Sequence, residues 1–204
     1  MRRPRFIAEQ ARHAKGLLGR LIAFIMARET WAENKRAIEA LGVAESDHVV
    51  DIGSGHGRTL ATLAARAPKG HVTGVDPSEL MAEIAERRNR RLVAERQVEI
   101  AIAKVEALPF PDGTIDKALC VHVVYFWANL DAAFREIARV LKPGGRLALV
   151  FRSSADEPAV RAFPADIYRF PATSDVTAAL TAAGFAVEPT DERAGRPVLV
   201  IATK

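Results

Sequence analysis

Glycines at every second position follow a short, largely apolar run in the first third of the chain. Residues 49–52 lead into Gly53, Gly55 and Gly57, and a segment with helical spacing comes next. Glycine lets the backbone bend sharply and approach a ligand closely, and the first turn of a helix presents unpaired N–H donors. The pattern therefore predicts a strand, a tight turn and a helix that together can cradle a polar ligand.

An acidic residue follows the next apolar run. Residues 71–75 predict a second strand, and Asp76 comes directly after it, 25 residues beyond Asp51. A carboxylate at this position can accept hydrogen bonds from the two vicinal hydroxyls of a ribose. The glycine turn and Asp76 together predict a nucleoside pocket. The alternative is that the glycines form only a tight turn and that Asp76 caps the helix beginning near Ser78.

The elements that would position these residues alternate along the chain. After residue 45, short apolar runs predict strands and the longer amphipathic segments between them predict helices. The predicted strands are 48–52, 71–75, 98–102, 116–121 and 146–151, with helices at 58–67, 78–94 and 129–141. This alternation predicts a parallel sheet with helices on both faces, which is an α/β fold.

The last part of the chain predicts a reversed strand. Residues 174–183 have a helical pattern that Gly184 ends, since glycine readily adopts the left-handed conformation of a helix C-terminus. Strands are predicted at 185–190 and 197–203. The link between them is too short for a parallel crossover, so the two strands must pair antiparallel.

The segment before the first strand is helical and basic. Its apolar spacing predicts two helices that meet near residues 28–30, and Thr30 with Glu33 has the spacing of a capping box. Residues 1–36 carry nine lysines and arginines against three glutamates, whereas the whole chain has a net charge of +4. The basic character therefore belongs to the N-terminal segment.

Length and composition are those of one globular domain. The chain has 204 residues, 49% hydrophobic and 26% charged, which is enough apolar surface for a core. The longest apolar run of the N-terminal segment, 21–27, is far shorter than the roughly 20 residues of a membrane span, and no secretory cleavage site follows it. Cys120 is the single cysteine and the histidines are scattered, so we expect no disulfide, no metal site and a cytoplasmic location.

The glycine turn belongs to a longer series of motifs. They are, in chain order, Asp51-x-Gly53-x-Gly55-x-Gly57, Gly74-Val75-Asp76-Pro77-Ser78, residues 106–116 (EALPFPDGTID), residues 139–146 (RVLKPGGR) and Ala183-Gly184-Phe185. Over about residues 45–204 this combination resembles a class I S-adenosylmethionine-dependent methyltransferase. The resemblance implies S-adenosylmethionine as cofactor and S-adenosylhomocysteine as product.

The fold implied by the resemblance is a Rossmann-like three-layer sandwich. Its seven-stranded sheet has the order 3-2-1-4-5-7-6, and the last strand is antiparallel, which agrees with the short final link. We expect a single methyltransferase domain over residues 1–204. Within it, residues 1–44 would form an N-terminal helical cap and residues 45–204 the cofactor-binding core.

The resemblance also implies roles for individual cofactor-binding residues. Asp51, Gly53, Ser54 and Gly55 would line the aminoacyl part of the cofactor, Asp76 would bind the ribose, Pro77 would lie against the adenine and Cys120 would lie near the methionine part. Lys104, Val105 and Glu106 fall at the turn that recognises the adenine edge. The family usually has Asp where Lys104 stands, and lysine cannot accept a hydrogen bond. The backbone of Lys104 and Val105, or the Glu106 carboxylate, would have to replace that acceptor.

Residues after the fourth strand are candidates for catalysis. Methyl transfer depends mostly on holding the nucleophile, methyl carbon and sulfur in line, and a base helps when the acceptor is a hydroxyl. Tyr125 and His122 are the candidate catalytic residues, whereas His56 is expected to face solvent. Candidate substrate-binding residues are Trp31, Tyr125, Arg152 and Tyr168. Basic and aromatic residues before the first strand and after the fifth suggest a small-molecule acceptor that is anionic or lipid-like, bound by a monomer or homodimer.

Two other functions share parts of this pattern. A nicotinamide-dependent oxidoreductase also has a glycine turn and an acid after the second strand, but its fingerprint is G-x-G-x-x-G, unlike the alternate glycines here. A non-catalytic S-adenosylmethionine-binding module would keep the pocket without turnover. Nucleic acid is not an expected substrate, because the tetrapeptide of amino-directed base methyltransferases and the Pro-Cys nucleophile are both absent from the sequence.

Overall fold

One mixed β-sheet forms the centre of the molecule. The computed structural model describes residues 4–12, 16, 19, 29–190, 192–193 and 195–204. Seven strands lie within these residues. They are β1 (His48–Ile52), β2 (His71–Asp76), β3 (Val98–Ile102), β4 (Ile115–Val121), β5 (Leu141–Phe151), β6 (Ala186–Val187) and β7 (Val198–Thr203).

The described α-helices precede the sheet or connect its strands. They are α1 (Arg5–Arg12), α2 (Trp31–Leu41), α3 (Leu60–Arg66), α4 (Glu79–Arg88), α5 (Arg90–Ala94), α6 (Leu130–Val140), α7 (Glu157–Ala162) and α8 (Thr173–Ala182), with one 3₁₀ turn at Val124–Phe126. Residue 28 of the predicted helix junction near residues 28–30, and most of the predicted helix before it, lie outside the described residues. No helix of the described ranges is long and apolar enough to cross a membrane.

The sheet order confirms the prediction. The order is β3-β2-β1-β4-β5-β7-β6. β1 pairs parallel with β2 and β4, and β4 pairs parallel with β5. β7 pairs antiparallel with both β5 and β6, as the short link before it requires. The strand order changes direction beside β1, and this is where ligands bind in open α/β sheets.

Helices cover both faces of the sheet, which makes the fold a three-layer sandwich. In β1 the neighbours Val49 and Val50 belong to different hydrophobic clusters, because successive strand side chains point to opposite faces. Ile38 of α2 and Leu63 of α3 pack on the Val49 face. Phe134 of α6, which is fully buried, packs on the Val50 face. Apolar residues from both helix layers thus hold β1 at the centre.

One predicted helix is divided into two. The segment predicted as a helix over 78–94 breaks at Asn89, which is 3% exposed. The Asn89 side-chain amide donates to the carbonyls of Gly57 and Ala85, both at 2.9 Å. Asn89 therefore connects the end of α4 to the glycine turn, and this long-range bond is not visible in the local helical pattern.

Two other local predictions were wrong. Thr30 makes no capping hydrogen bond through its side chain at the start of α2. Instead, the Asn34 side-chain amide donates to the Thr30 carbonyl at 2.8 Å and lies 3.3 Å from its hydroxyl. β5 begins at Leu141, earlier than the predicted residue 146, because Leu141 already pairs with Ile115 before a bulge in the strand.

Candidate active site

A cavity of about 390 Å³ opens where β1, β2 and β4 end. All three strands run parallel, so their carboxyl ends lie at the same edge of the sheet. The cavity is lined by Gln10, Ala11, Thr30, Trp31, Asn34, residues 51–56, Arg58, Thr59, residues 75–78, Met81, residues 103–106, residues 121–123 and residues 126–128. The predicted nucleoside crevice is therefore present as open space.

The glycine turn is held against the end of β2. The N–H groups of Gly53 and Ser54 both donate to the carbonyl of Val75, at 2.7 and 3.1 Å. Gly53 has φ +75°, and a Cβ at this position would lie 2.2 Å from Cγ1 of Val123. Only glycine fits here, because the conformation is left-handed and the neighbouring side chain fills the space.

Asp76 connects the two strand ends. One carboxylate oxygen accepts from the N–H of Gly55 at 3.0 Å, and the other accepts from the N–H of Ser78 at 2.9 Å. The side chain lies at the cavity and the residue is 9% exposed. A carboxylate accepts up to about four hydrogen bonds, so an acid at this position can bind backbone N–H groups and ribose hydroxyls together.

The capping contact of the alternative interpretation also exists, but it does not replace the pocket. Ser78 caps α4 with its own hydroxyl, which accepts from the N–H of Met81 at 3.4 Å. Asp76 binds the Ser78 N–H and still lines the open cavity.

Asp51 is a buried acid with an altered pKa. It is 3% exposed, and its carboxylate accepts a short hydrogen bond from the Thr59 hydroxyl. Burial, with a smaller contribution from the charge of Asp76, raises the pKa of Asp51 from 3.8 to about 7. The cavity therefore contains a carboxyl group that changes charge near neutral pH. The sequence pattern did not predict the pairing with Thr59.

Lys104, Val105 and Glu106 form a turn at the cavity after β3. The Lys104 side chain is exposed, whereas Val105 is buried. The N–H groups of all three residues have no hydrogen-bond partner in the described ranges. Backbone donors are thus available at the edge where the sequence predicted adenine recognition.

Ser54 supplies a further polar group without a partner. Its hydroxyl oxygen is buried and has no hydrogen bond to any described residue. Buried polar atoms are nearly always paired, and this oxygen lies 2.9 Å from the Cβ position of Gly74. The Asp76 carboxylate and the backbone donors at Val105 fit the ribose and adenine parts of S-adenosylmethionine, respectively.

The N-terminal helices contribute one wall. Gln10 and Ala11 of α1, together with Trp31 and Asn34 of α2, line the cavity. The guanidinium carbon of Arg58, which follows the glycine turn, lies 4.2 Å from the centre of the Trp31 ring. This cation–π contact joins the N-terminal segment to the residue that follows the glycine turn.

His122 lies at the cavity and Tyr125 lies behind it. His122 is a lining residue with φ +58°, an uncommon conformation for a residue other than glycine. Its Nδ1 is 2.9 Å from the Tyr125 hydroxyl, which accepts from the N–H of Arg152 at 2.6 Å. His56, expected to face solvent, also lines the cavity, and its Nδ1 accepts from the N–H of Arg58 at 3.1 Å.

Several sequence-predicted residues do not reach the cavity. Tyr125 and Tyr168 are buried, with ring centres 5.5 Å apart, in an aromatic cluster with Phe126, Phe163 and Phe170. Arg152 instead pairs with the buried Asp156 at 2.5 Å. Cys120 is fully buried in the core, where burial raises the pKa of its thiol. None of these four predicted site residues is among those that line the cavity.

Other lining residues were not among the predicted ones. Gln10 comes from the first helix, and Val123, Phe126 and Trp127 lie around the turn after β4. The sequence has aromatic residues at positions 125–127, but it does not show which of their rings faces the cavity. Phe126 and Trp127 do so, whereas Tyr125 does not.

The sheet order and the crevice define a Rossmann-like α/β protein with a nucleoside-binding site. A family model described as a methyltransferase domain matches residues 50–149. A demethylmenaquinone methyltransferase of Thermus thermophilus is 31% identical over 199 residues, which cover 84% of this chain and 87% of that protein. The chain belongs to the class I S-adenosylmethionine-dependent methyltransferases.

Two further comparisons give a similar sequence and a similar fold. An uncharacterized 37.1 kDa protein in transposon TN4556 of Streptomyces fradiae is 40% identical over 113 residues, 55% of this chain and 32% of that protein. This chain thus spans about a third of that relative. The fold matches the crystal structure of a SAM-dependent methyltransferase from Aquifex aeolicus with a TM-score of 0.71 and 24% identity, over 84% of this chain and 89% of that one.

Proposed function

We propose that the protein transfers the methyl group of S-adenosylmethionine to a small, largely apolar acceptor that enters beside His122. The observation that carries this proposal is the continuity of the cavity. The glycine turn and Asp76 line the same cavity as the apolar residues Val123, Phe126 and Trp127, and Val123 lies directly against Gly53 of the turn. A polar cofactor end next to an apolar wall suits a planar or lipid-like acceptor. The similarity to a demethylmenaquinone methyltransferase supports such an acceptor.

Residues of the chain act by positioning in this reaction. Asp76, Ser54 and the 104–106 turn hold the adenosyl and aminoacyl parts of the cofactor, while Phe126 and Trp127 exclude water from the acceptor. Bound S-adenosylmethionine supplies a methyl carbon whose bond to sulfur breaks with both electrons kept by sulfur, while an acceptor lone pair forms the new bond. An acceptor that must lose a proton gives it to bulk water before it enters the cavity.

A negative charge on the acceptor has less support than its apolar character. The sequence suggested an anionic acceptor partly because of Arg152, but Arg152 is paired with Asp156. Among the described residues, the lysines and arginines that line the cavity are Arg58, stacked on Trp31, and the exposed Lys104. The carboxyl groups of Asp51 and Asp76 lie in the same cavity. We therefore favour a neutral acceptor or one with a weakly acidic oxygen.

The proposal includes an N-terminal cap, a cytoplasmic location and a monomeric or homodimeric state. Residues 1–44 would act as a cap on the core formed by residues 45–204, which is supported by Gln10 and Trp31 at the cavity. A cytoplasmic location is supported by a single, buried cysteine. The acceptor would be bound by a monomer or a homodimer.

Acceptor screening tests the proposed activity. The purified protein is incubated with S-adenosylmethionine and a panel of quinones, phenols and isoprenoid lipids, and the formation of S-adenosylhomocysteine and methylated product is measured by mass spectrometry. The proposal predicts methylation of at least one aromatic or lipid acceptor, greatly reduced in Asp76→Ala and unchanged in Asp131→Ala, which alters an exposed residue that is not among those lining the cavity. Cofactor binding without methylation of any acceptor would instead support a non-catalytic module.

A further inference from the structure

His122 is held in a conformation that only its surroundings can maintain. It directly follows β4 with φ +58°, and its N–H donates to the carbonyl of Val150 at 2.8 Å. Left-handed backbone at a residue other than glycine is unfavourable and persists at functional sites where neighbouring contacts enforce it. In this conformation His122 lines the cavity.

The hydrogen bonds of Tyr125 determine which imidazole nitrogen carries the proton. The Tyr125 hydroxyl oxygen already accepts from the N–H of Arg152, at 2.6 Å. Tyr125 is 3% exposed, and in the described part of the chain the only other group bonded to its hydroxyl is Nδ1 of His122. A buried hydroxyl proton requires an acceptor, so the hydroxyl donates to Nδ1. The imidazole proton is then on Nε2.

We infer that Tyr125 positions His122 as a neutral imidazole whose Nε2–H donates a hydrogen bond to an oxygen atom of the acceptor. In the described ranges Nε2 has no hydrogen-bond partner, although His122 lines the cavity. Its lining neighbours Val121, Val123 and Phe126 are apolar, so the N–H donor has apolar surroundings. The acceptor class that fits is a planar molecule with a carbonyl, enolate or phenolate oxygen near the methylated atom.

Burial of the pair, more than the charges around it, keeps the imidazole neutral. Burial, with a smaller contribution from the positive charge of Arg152, lowers the pKa of His122 to about 4. Burial also raises the pKa of Tyr125, so its hydroxyl retains the proton that Nδ1 accepts. Tyr125 is further faced by Tyr168 and by Asp156, the partner of Arg152. An imidazole with its proton on Nε2 cannot serve as a general base toward the cavity, which distinguishes this role from proton abstraction.

Nuclear magnetic resonance of ¹⁵N-histidine-labelled protein tests the proton position without any acceptor. The nitrogen shifts identify the tautomer of each of the five histidines, and His122→Gln and His56→Gln assign the two at the cavity. We expect His122 to have a protonated Nε2 and an unprotonated Nδ1, without titration between pH 5.5 and 8. The Tyr125→Phe variant should lose the single tautomer, whereas Tyr168→Phe should retain it. A protonated Nδ1 in the parent protein, or an unchanged signal in Tyr125→Phe, would overturn the inference.

Two matched ligands test the oxygen contact. The labelled protein, saturated with S-adenosylhomocysteine, is titrated with acetophenone and with ethylbenzene, which differ in the carbonyl oxygen. We expect acetophenone to shift the His122 Nε2 signal in a saturable manner and ethylbenzene to leave it unchanged. Equal effects of the two ligands, or no effect of either, would contradict the oxygen contact. This inference rests on the proposed function, but the two can fail separately. A protein that does not bind S-adenosylhomocysteine would reject the proposed function. A protein that binds it but has the other His122 tautomer would reject only the inference.

Discussion

The N–H of Gly55 donates to the Asp76 carboxylate over 3.0 Å, and this bond joins the turn after β1 to the end of β2. Gly55 has φ +52°, and no atom lies within 4 Å of the place where its Cβ would be, so the turn is open to the cavity there. The bond fixes the carboxylate beside a turn that a ligand can approach closely. The position of the acid and the shape of the turn therefore depend on each other.

A methyl group added at Gly53 should destabilise the protein strongly. In Gly53→Ala the new Cβ meets Cγ1 of Val123 at 2.2 Å and the backbone keeps φ +75°. We expect a loss of about 2–4 kcal/mol in the free energy of unfolding, from overpacking together with backbone strain. Urea denaturation followed by circular dichroism measures it.

Gly144→Ala is the matched control for the strain alone. Gly144 has φ +78° with no atom near its Cβ position, so its replacement should cost only about 1 kcal/mol. Adding Val123→Ala to Gly53→Ala should restore part of the lost stability, as a double-mutant cycle would show. Equal costs at the two glycines would mean that Val123 does not restrict the turn.

Asp51 should make the stability of the protein without ligand depend on pH. Its pKa rises from 3.8 to about 7 on folding, so between these values the folded protein retains a proton that the unfolded chain has lost. The free energy of unfolding should then fall as the pH rises from about 4 to 7 and stay level above, with a total cost of about 4 kcal/mol. In Asp51→Asn this cost is absent. The stability advantage of the variant over the parent should therefore grow by about 2–3 kcal/mol as the pH rises from 5 to 8.

Thermal or urea unfolding at pH 5, 6, 7 and 8 measures this difference. Thr59→Val provides a second test, because loss of the Thr59 hydrogen bond removes a contact that lowers the pKa of Asp51. The pH range over which stability falls should then extend upward. Parallel stability curves for Asp51→Asn and the parent protein would show that Asp51 is ionised throughout.

Arg139 should stabilise the loop that follows the turn at residues 104–106. Its guanidinium donates to the carbonyls of Leu108 and Phe110 and pairs with Glu136 and Asp112. Arg139→Met should cost about 2 kcal/mol at pH 7, because it leaves carbonyls and a partly buried carboxylate without a donor. Arg135→Met, on an exposed position of the same helix, is the control and should change little.

The Arg139 effect should shrink in acid. The hydrogen bond from Arg139 lowers the pKa of Glu136, so this part of the stability exists above the unfolded pKa of Glu136 and disappears as the pH falls through its folded value. Unfolding measurements on the two proteins should therefore converge at low pH. A constant difference from pH 7 into the acid range would assign the cost to packing alone.

The sheet and the cofactor turn could be predicted because their signals are local. The apolar runs around Val50 and Val72, the glycines and the acid at Asp76 each act within a few residues, and the strands and helices that such signals predict alternate as expected. The strand order was implied by the resemblance to a known family, and the observed order agrees with it. The short link before β7 also defines its direction without knowledge of the tertiary structure.

The acceptor side could not be predicted because distant contacts decide where its side chains point. Tyr125 faces Arg152, Tyr168 and Phe170 and not the cavity, and Arg152 turns to Asp156. Asp51 looks like an ordinary motif acid in the sequence, yet burial beside Thr59 changes its charge behaviour. Aromatic and charged residues in the sequence indicated the segments that lie near the acceptor, but tertiary contacts determine which side chains line the cavity.

Calorimetric titration of the parent protein and Asp76→Ala with S-adenosylhomocysteine tests the central claim, that the glycine turn and Asp76 form the cofactor site. We expect the variant to bind about 1–3 kcal/mol more weakly, because two ribose hydroxyls lose a charged acceptor. Asp131→Ala, which alters an exposed aspartate at the start of α6, should bind like the parent. An unchanged dissociation constant for Asp76→Ala would show that the ribose is bound elsewhere and would contradict the assignment of the site.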